Sequence, residues 1–262
     1  MAPFVFIGAG NLATSLALAF FEAGFPIAQI YSRTENSARV LAQRVKAPWT
    51  DCIEQILQGD YFYFTALKDS VLEELVPSLV DGREEGFFIH TAGSLPMSLW
   101  SQFSSSPSRY GVFYPMQTFS RQKPIPFEDI PIFIEASTPA AVEELMKLGR
   151  AISHHVTQTD SERRQKLHLA AVFACNFSNH CYALAEHLLE EAEIPFEVML
   201  PLIDETARKA HLLSPRQGQT GPAIRYDKSV IDRHLTVLAS KPQLQEIYRL
   251  LSESIHKMAL KP

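Results

Sequence analysis

The stretch Pro3-Phe4-Val5-Phe6-Ile7-Gly8-Ala9-Gly10-Asn11-Leu12-Ala13 decides the fold of this chain. Its apolar beginning, Pro3 to Ile7, predicts a buried strand, and the pattern from Asn11 to Ala23 predicts a helix that ends at Gly24. Between them, Gly8 and Gly10 permit a tight turn from strand to helix. We therefore expect a strand, turn and helix of the kind that begins a doubly wound sheet.

Short β-rich runs alternate with helical runs as far as about Thr157. This alternation predicts an α/β domain whose mostly parallel, doubly wound sheet is covered on both faces. Further strands are expected at 27–31, 48–50, 61–67, 87–91, 110–114, 131–135 and 154–157, and helices at 35–45, 52–57, 69–80 and 140–151. Asp69 is a candidate cap for the helix that begins beside it. An irregular loop is expected between Gln117 and Ile130.

From Thr159 onward, apolar residues recur at intervals of three and four, which predicts an all-helical region. The segment Ser161 to Ala192 contains neither Gly nor Pro, so one long helix is expected there. Further helices are predicted at 195–212, 228–239 and 243–259, with a polar loop over 214–222. The chain should therefore divide into a sheet domain, 1–158, and an all-α C-terminal domain, 159–262.

The composition excludes several classes of function. The chain has 24 Lys and Arg residues against 29 Asp and Glu, with no long basic run, so nucleic acid is not an expected partner. Three cysteines are too few for a disulfide framework and match no zinc pattern, which favours a reducing cytosol and no metal. The apolar N-terminus is interrupted too early for a signal peptide or a membrane span. A cytoplasmic protein is predicted.

The glycine turn indicates a dinucleotide site. A residue without a Cβ lets the backbone approach a pyrophosphate, and the first N–H groups of the helix offer hydrogen bonds and a partial positive charge. The expected contacts come from Gly8, Ala9, Gly10, Asn11 and Leu12. The alternative is an ordinary tight turn between a strand and a helix.

The residues after the second strand predict which dinucleotide binds. NAD-selective domains place an acidic side chain there, whereas this chain has Ser32, Arg33 and Thr34. A guanidinium and two hydroxyls suit the 2′-phosphate of NADP, so we expect the Rossmann half to bind NADPH. The alternative is that Arg33 only faces solvent.

Two more strand ends should reach the same ligand, because the carboxyl ends of parallel strands share one edge of the sheet. The first gives Ala66, Leu67 and Lys68. The second, His90 to Ser94, combines an imidazole with hydroxyls; Thr91 and Ala92 are expected beside the cofactor, and Ser94 in catalysis or substrate binding. Tyr114 should line the same pocket as a substrate contact. The alternative for 90–94 is a hydrogen-bonded strand-end loop.

The long predicted helix carries polar residues within an apolar run. On an ideal helix, Cys175 and Asn179 each fall within roughly 20° of His168, with Asn176 about 80° away. If this face meets the nicotinamide, His168 would donate a proton and Asn176 would bind substrate during reduction of a ketone or imine. The alternative is that these groups satisfy one another in a domain or subunit interface.

Arg225 and Asp227 stand beside the turn that precedes the helix at 228–239. Arg225 could clamp a substrate carboxylate through charge-assisted hydrogen bonds. Equally, Asp227 could be a helix cap and Arg225 its surface partner.

Five motifs in order resemble those of one family. They are Gly8 to Ala13, His90 to Ser94, Tyr114 to Phe119, Leu167 to Val172 with Asn176-Phe177, and Thr220 to Arg225. Together they resemble oxidoreductases with a C-terminal domain of unknown function numbered 2520, related to pyrroline-5-carboxylate reductase and to deazaflavin-dependent NADP oxidoreductases. The resemblance implies a Rossmann domain, a C-terminal domain like that of 6-phosphogluconate dehydrogenase, and a homodimer through that domain.

Related hydroxy-acid dehydrogenases use a Lys closely followed by Asn, but Lys166 and Asn176 are too far apart to match. His168 is therefore the predicted proton donor. Our leading hypothesis is hydride transfer between NADPH and a small carbonyl or imine substrate, a 2-oxo acid or a cyclic imine, with Arg225 or Asn176 binding it. The alternatives are an NADPH sensor without turnover and a scaffold without nucleotide affinity.

Overall fold

The structure is a computed structural model that describes residues 2–103, 106–120 and 125–260. Its packing divides the chain into two compact units, Met1–Asn176 and Phe177–Pro262. The predicted boundary after residue 158 coincides instead with the end of the last strand. The assignment of separate roles to 1–158 and 159–262 stays a prediction.

Eight strands form one sheet in the first unit. They are β1 (Phe4–Ile7), β2 (Ile27–Tyr31), β3 (Trp49–Thr50), β4 (Phe62–Thr65), β5 (Phe87–His90), β6 (Arg109–Pro115), β7 (Ile132–Ala136) and β8 (Val156–Gln158). Their order is β3-β2-β1-β4-β5-β6-β7-β8. Neighbouring strands are parallel, with the antiparallel pair β6 and β7 as the exception. The predicted mostly parallel α/β fold is confirmed.

Five helices of the first unit connect or follow these strands: α1 (Asn11–Glu22), α2 (Glu35–Arg44), α3 (Asp69–Val80), α4 (Pro139–Arg150) and α5 (Ser161–Ala171). The predicted helix at 52–57 is only a 3-10 turn, Ile53–Gln55. Asp69 does not cap α3, because it is the first helical residue and Lys68 occupies the N-cap position. The Asp69 carboxylate instead accepts a hydrogen bond from the Ser94 hydroxyl.

Apolar layers cover both faces of the sheet because successive strand residues point to opposite sides. Phe4 and Phe6 belong to one cluster, together with Phe20 of α1, whereas Val5 and Ile7 belong to the other. The rings of Phe4 and Phe20 pack edge to face with centroids 4.9 Å apart. Both faces of β1 are therefore buried, so the loop after it begins at a strand packed on both sides.

The second unit is built from α6 (Ser178–Glu190), α7 (Leu200–Leu212), α8 (Pro215–Gly218), α9 (Pro222–Arg225), α10 (Lys228–Val237) and α11 (Pro242–Ala259). The prediction of one regular helix over 161–192 is wrong, because the π-helical segment Val172–Phe177 lies between α5 and α6. A π turn contains more residues than an α turn, so angles calculated for an ideal helix do not hold across it. In the described ranges, no helix is long and apolar enough to span a membrane.

Candidate functional site

Four strands end together at one edge of the sheet. The register pairs Tyr31 with Ile7, Ile7 with Thr65, and Thr65 with His90. The segments that directly follow these strands are the four predicted to meet a cofactor: 8–12, 32–34, 66–68 and 91–92. The strand order reverses between β1 and β4 at this edge, which is where doubly wound sheets bind ligands.

The two glycines of the first turn have different surroundings. Gly8 has φ +114°, and a Cβ there would lie 2.4 Å from the carbonyl oxygen of Ala66. Gly10 has an ordinary φ of −76°, and a Cβ there would meet nothing within 4 Å. Gly8 thus lets the loop after β1 pack on the loop after β4, whereas Gly10 borders open space at the start of α1.

The N-terminus of α1 offers its backbone to that open space. Within the described residues no side chain caps α1, and its first turn contains no acidic residue. The earliest N–H group with a partner inside the helix is that of Thr14, which donates to the Gly10 carbonyl. The Asn11 side-chain amide donates to the Phe119 carbonyl at 3.0 Å, and the backbone N–H groups of Asn11 and Leu12 precede the first hydrogen bond of the helix. Such N–H groups suit a phosphate.

The segment predicted to select the cofactor is accessible. Arg33 and Thr34 are exposed after β2, and Ser32 is half-buried. Thr34 stands at the N-cap of α2 without accepting a capping hydrogen bond. An accessible guanidinium and hydroxyl at this strand end could meet a phosphate, and this role stays a prediction.

His90 and Thr91 turn inward rather than toward a ligand. His90 is fully buried, and its Nδ1 accepts a hydrogen bond from the Ala92 N–H at 3.3 Å. Burial, together with the Arg164 cation, lowers the pKa of His90 to about 3. The Thr91 hydroxyl donates to the Thr65 carbonyl at 3.1 Å. These side chains fit the alternative of a hydrogen-bonded strand end, and a contact between Thr91 and a cofactor stays a prediction.

We expect buried His90 to make the protein sensitive to acid. Its pKa is about 3 when folded and about 6.5 when unfolded, so its contribution to stability is lost as the pH falls from 6.5 toward 3. At about pH 5 the loss should be about 2 kcal/mol. Urea unfolding at neutral and acidic pH would measure it in the wild type and in His90→Asn, whose amide oxygen can still accept from Ala92. Equal losses in both proteins would rule out His90 as the cause.

A cavity of about 630 Å³ lies where the end of β6 and the loop after it face α5. It is lined by Tyr114, Met116, Gln117, Thr118, Phe119, Leu167, His168, Ala170, Ala171, Val172, Ala174, Cys175 and Asn176. Its lining is mainly apolar with a few hydrogen-bonding groups, which is typical of small-molecule sites. Three predicted site residues, Tyr114, His168 and Asn176, are thus brought together; the sequence analysis placed Tyr114 in a pocket wall and the other two on a helix.

Tyr114 and His168 form a hydrogen-bonded pair in this cavity. The Tyr114 hydroxyl lies 3.0 Å from Nδ1 of His168, and the rings meet edge to face. Burial raises the pKa of Tyr114, and the Arg164 cation opposes this only in part. The phenol therefore keeps its proton at neutral pH. When the Tyr114 hydroxyl donates to Nδ1, the neutral imidazole has its N–H at Nε2; in the imidazolium form both ring nitrogens donate and the phenol oxygen accepts from Nδ1.

The loop after β5 packs directly against His168. A Cβ on Gly93 would lie 2.6 Å from Cγ and Nδ1 of the imidazole, so this contact requires a glycine. The next residue, Ser94, donates its hydroxyl to Asp69, and its carbonyl accepts from the Gln165 side chain at 2.8 Å. Ser94 is therefore held beside α5, although the role predicted for its hydroxyl stays a prediction.

Sequence reasoning missed Arg164, whose side chain is fully buried in this region. Arginine is ordinarily a surface residue, and nothing in the run Glu162 to Lys166 distinguishes it from its charged neighbours. A usable signal was its spacing, because Arg164 stands four residues before His168 and so shares its helix face.

Arg225 lies in the second unit, at the end of α9, and is exposed. Asp227 caps α10, because its carboxylate accepts from the Val230 N–H at 3.3 Å and from the Ser229 hydroxyl at 3.0 Å. This agrees with the capping alternative for Asp227, and substrate binding by Arg225 stays a prediction. Among the described residues, no three His, Cys, Asp or Glu side chains are grouped to hold a metal ion.

Comparisons with known proteins match both parts of the chain. Residues 3–92 match the family described as NADP oxidoreductase, coenzyme F420-dependent, and residues 130–255 match a domain of unknown function, DUF2520. A solved protein from Bacteroides fragilis, assigned as an NADP oxidoreductase, is 54% identical, with 98% of each chain covered and a TM-score of 0.92. No curated protein matches the sequence.

Two more distant solved structures share the fold. A Thermotoga maritima protein is 20% identical over 95% of this chain and 98% of its own, with a TM-score of 0.75. An imine reductase from Myxococcus stipitatus, solved with NADP⁺, is 14% identical over 98% and 92%, with a TM-score of 0.67. The high identity to the Bacteroides protein decides the family. The chain belongs to the NADP oxidoreductases in which a Rossmann domain of the F420-dependent type is followed by a DUF2520 domain.

Proposed function

We propose that the protein is an NADPH-dependent reductase of a small carbonyl or imine compound, either a 2-oxo acid or a cyclic imine. The Tyr114–His168 pair carries this proposal, because it places a polarised imidazole in an otherwise mainly apolar cavity. An imidazole whose ring is fixed by a phenol is suited to proton transfer near neutral pH.

The residues at the sheet edge fit a dinucleotide. The open space beside Gly10 and the uncapped N-terminus of α1 suit a pyrophosphate, with Gly8, Ala9, Asn11 and Leu12 forming the turn. The segments 32–34, 66–68 and 91–92 would hold the 2′-phosphate, the ribose and the nicotinamide. The bound cofactor supplies the hydride, and the protein orients it.

Residues in and beside the cavity would bind the substrate and transfer a proton to it. His168 in its imidazolium form would donate the Nε2 proton to the oxygen or nitrogen that gains charge when the hydride arrives, and would remain as neutral imidazole, while Tyr114 fixes the ring. Asn176 and Ser94 would orient the substrate. The walls of the cavity around His168 are mainly apolar.

Replacing Arg33 by Ala tests the proposed cofactor. We expect NADPH binding to weaken by about 10- to 100-fold and NADH binding to change less than about twofold, because only NADPH has the 2′-phosphate. Calorimetric titration would measure both, with Arg39→Ala as the control: Arg39 lies on α2 and donates to Asn36. Equal weakening of both cofactors would refute the assignment to Arg33.

The substrate class is tested separately. NADPH oxidation with 2-methyl-1-pyrroline and with pyruvate would distinguish reduction of a cyclic imine from reduction of a 2-oxo acid.

We also propose that the protein is cytoplasmic, because its free thiols, such as Cys175 and Cys181, suit a reducing compartment. We further propose that it is a homodimer formed through its helical domain. Large apolar side chains are exposed in the second unit; Leu202, Leu212 and Val237 are 62%, 77% and 74% exposed. Exposed apolar surface of this kind is typical of a protein–protein contact. Light scattering of the purified protein distinguishes a dimer from a monomer.

A further inference from the structure

Arg164 makes more buried hydrogen bonds than a simple surface ion pair could. Its side chain is fully buried, and Nη1 donates to the carbonyl oxygens of Ala92 and Gly93 at 2.8 and 3.0 Å. Nη2 donates to Glu135 of β7 and to the Ser161 hydroxyl, both at 3.1 Å. One guanidinium thus joins three separate elements: the loop after β5, the strand β7 and the start of α5.

Other residues of α5 contact the same loop. The Ser161 hydroxyl accepts from the Met97 N–H at 2.9 Å, and it lies 2.8 and 2.9 Å from the two Glu135 oxygens. The Gln165 amide donates to the Ser94 carbonyl. Residues 92–97 are therefore bound to the first turns of α5 not only through Arg164 but also through Ser161 before it and Gln165 after it. We refer to these residues, 92–97 together with 161–165, as the clamp.

The clamp lies directly beside the His168 ring. Gly93, whose carbonyl accepts from Arg164, is also the residue whose Cβ position lies 2.6 Å from the imidazole. Arg164 and His168 are four residues apart on α5 and so lie on one face of the helix. Any shift of the Gly93 backbone would therefore move the wall against which the imidazole rests.

A buried ion pair is by itself weak evidence of a contribution to stability. Burial lowers the pKa of Arg164, and the Glu135 carboxylate opposes that shift. Desolvating such a pair costs much of what their attraction returns, so well-packed apolar residues are often as stable. What an apolar side chain cannot do is bind two carbonyl oxygens and a carboxylate in fixed directions.

We infer that Arg164 is a positioning residue, which holds loop 92–97 on α5 and thereby fixes the His168 imidazole for proton transfer to the substrate. The inference rests on the proposed function for the role of His168. Arg164 itself touches neither the substrate nor the cofactor in this assignment. Its effect on the reaction passes through Gly93 and the ring of His168.

The test compares two buried arginines of the same unit. Arg164→Met and Arg164→Lys alter the clamp, and Arg83→Met is the matched control. Arg83 is also buried and donates to the carbonyl oxygens of Ile53, Ile56, Ser78, Leu79 and Asp81. The readouts are the melting temperature, the NMR resonances of the His168 ring, assigned with His168→Gln, and kcat and KM for NADPH oxidation.

We expect all these variants to have a lower melting temperature than the wild type, but only those at Arg164 to shift the His168 ring resonances. In the same variants kcat should fall by about 10- to 100-fold, since a small misplacement of a catalytic group is costly, and KM for NADPH should change less than kcat, because Ala92 is the one proposed cofactor contact within the clamp. Unmoved His168 resonances in the Arg164 variants would overturn the inference. If Arg164→Met does not fold, Arg164→Lys and Glu135→Gln decide by the same criterion. If no substrate is reduced, the proposed function fails, while the resonances still decide the positioning role.

Discussion

Replacing His168 by Gln should lower kcat for NADPH oxidation by about 100- to 1,000-fold with little change in NADPH affinity. Gln keeps a hydrogen-bonding side chain but cannot transfer a proton at neutral pH. The ring lies in the cavity between the β6 loop and α5, and the loss should fall on the chemical step rather than on cofactor binding. The measurement is steady-state kinetics with whichever of 2-methyl-1-pyrroline or pyruvate the wild type reduces faster.

Two further variants make this result interpretable. Tyr114→Phe removes the hydroxyl that lies 3.0 Å from Nδ1, so kcat should fall by about tenfold because the imidazole is less well fixed. His154→Gln changes an exposed histidine of the same unit and should leave kcat unchanged. If His168→Gln behaves like His154→Gln, His168 is not the proton donor.

The second large effect separates the two glycines of the first turn. Gly8→Ala should lower the free energy of unfolding by about 3 kcal/mol or more, because alanine is strained at φ +114° and its Cβ would overlap the Ala66 carbonyl. Gly10→Ala should change it by less than about 0.5 kcal/mol, because its backbone is ordinary and the surrounding space is open.

Cofactor binding should show the reverse preference. Gly10→Ala places a methyl group where the pyrophosphate is proposed to lie, so NADPH should bind at least about tenfold more weakly to a protein of normal stability. Urea unfolding and calorimetric titration measure the two quantities independently. A Gly10→Ala protein with unchanged NADPH affinity would move the dinucleotide away from this turn.

The sheet could be predicted because its sequence signals are local. The run Phe4 to Ile7 is apolar on both faces, which is typical of a parallel strand covered on both sides, and Gly8 and Gly10 follow it immediately. Local signals also predicted a helix at 140–151; α4 is observed at Pro139–Arg150, and the Thr138 side chain caps it by accepting from the Ala141 N–H. Residue spacing alone thus identified the sheet edge where four predicted segments meet.

The site was less predictable because its contacts are distant in sequence. Nothing local in Arg164 indicates that Ala92 and Gly93, more than 70 residues earlier, supply its acceptors. A histidine at a strand end is chemically attractive within the 90–94 cluster, yet the side chain of His90 lies inside the fold. The π segment was missed because helical periodicity does not reveal one extra residue in a turn.

The contact between Gly93 and His168 has a consequence for anyone who redesigns this pocket. The two residues share one volume, since any atom added at Gly93 must be removed at His168. Libraries that vary either position alone would sample mostly clashes or voids, and single-site tolerance would understate what the scaffold accepts. Positions 93 and 168 should therefore be substituted together in any redesign of this pocket.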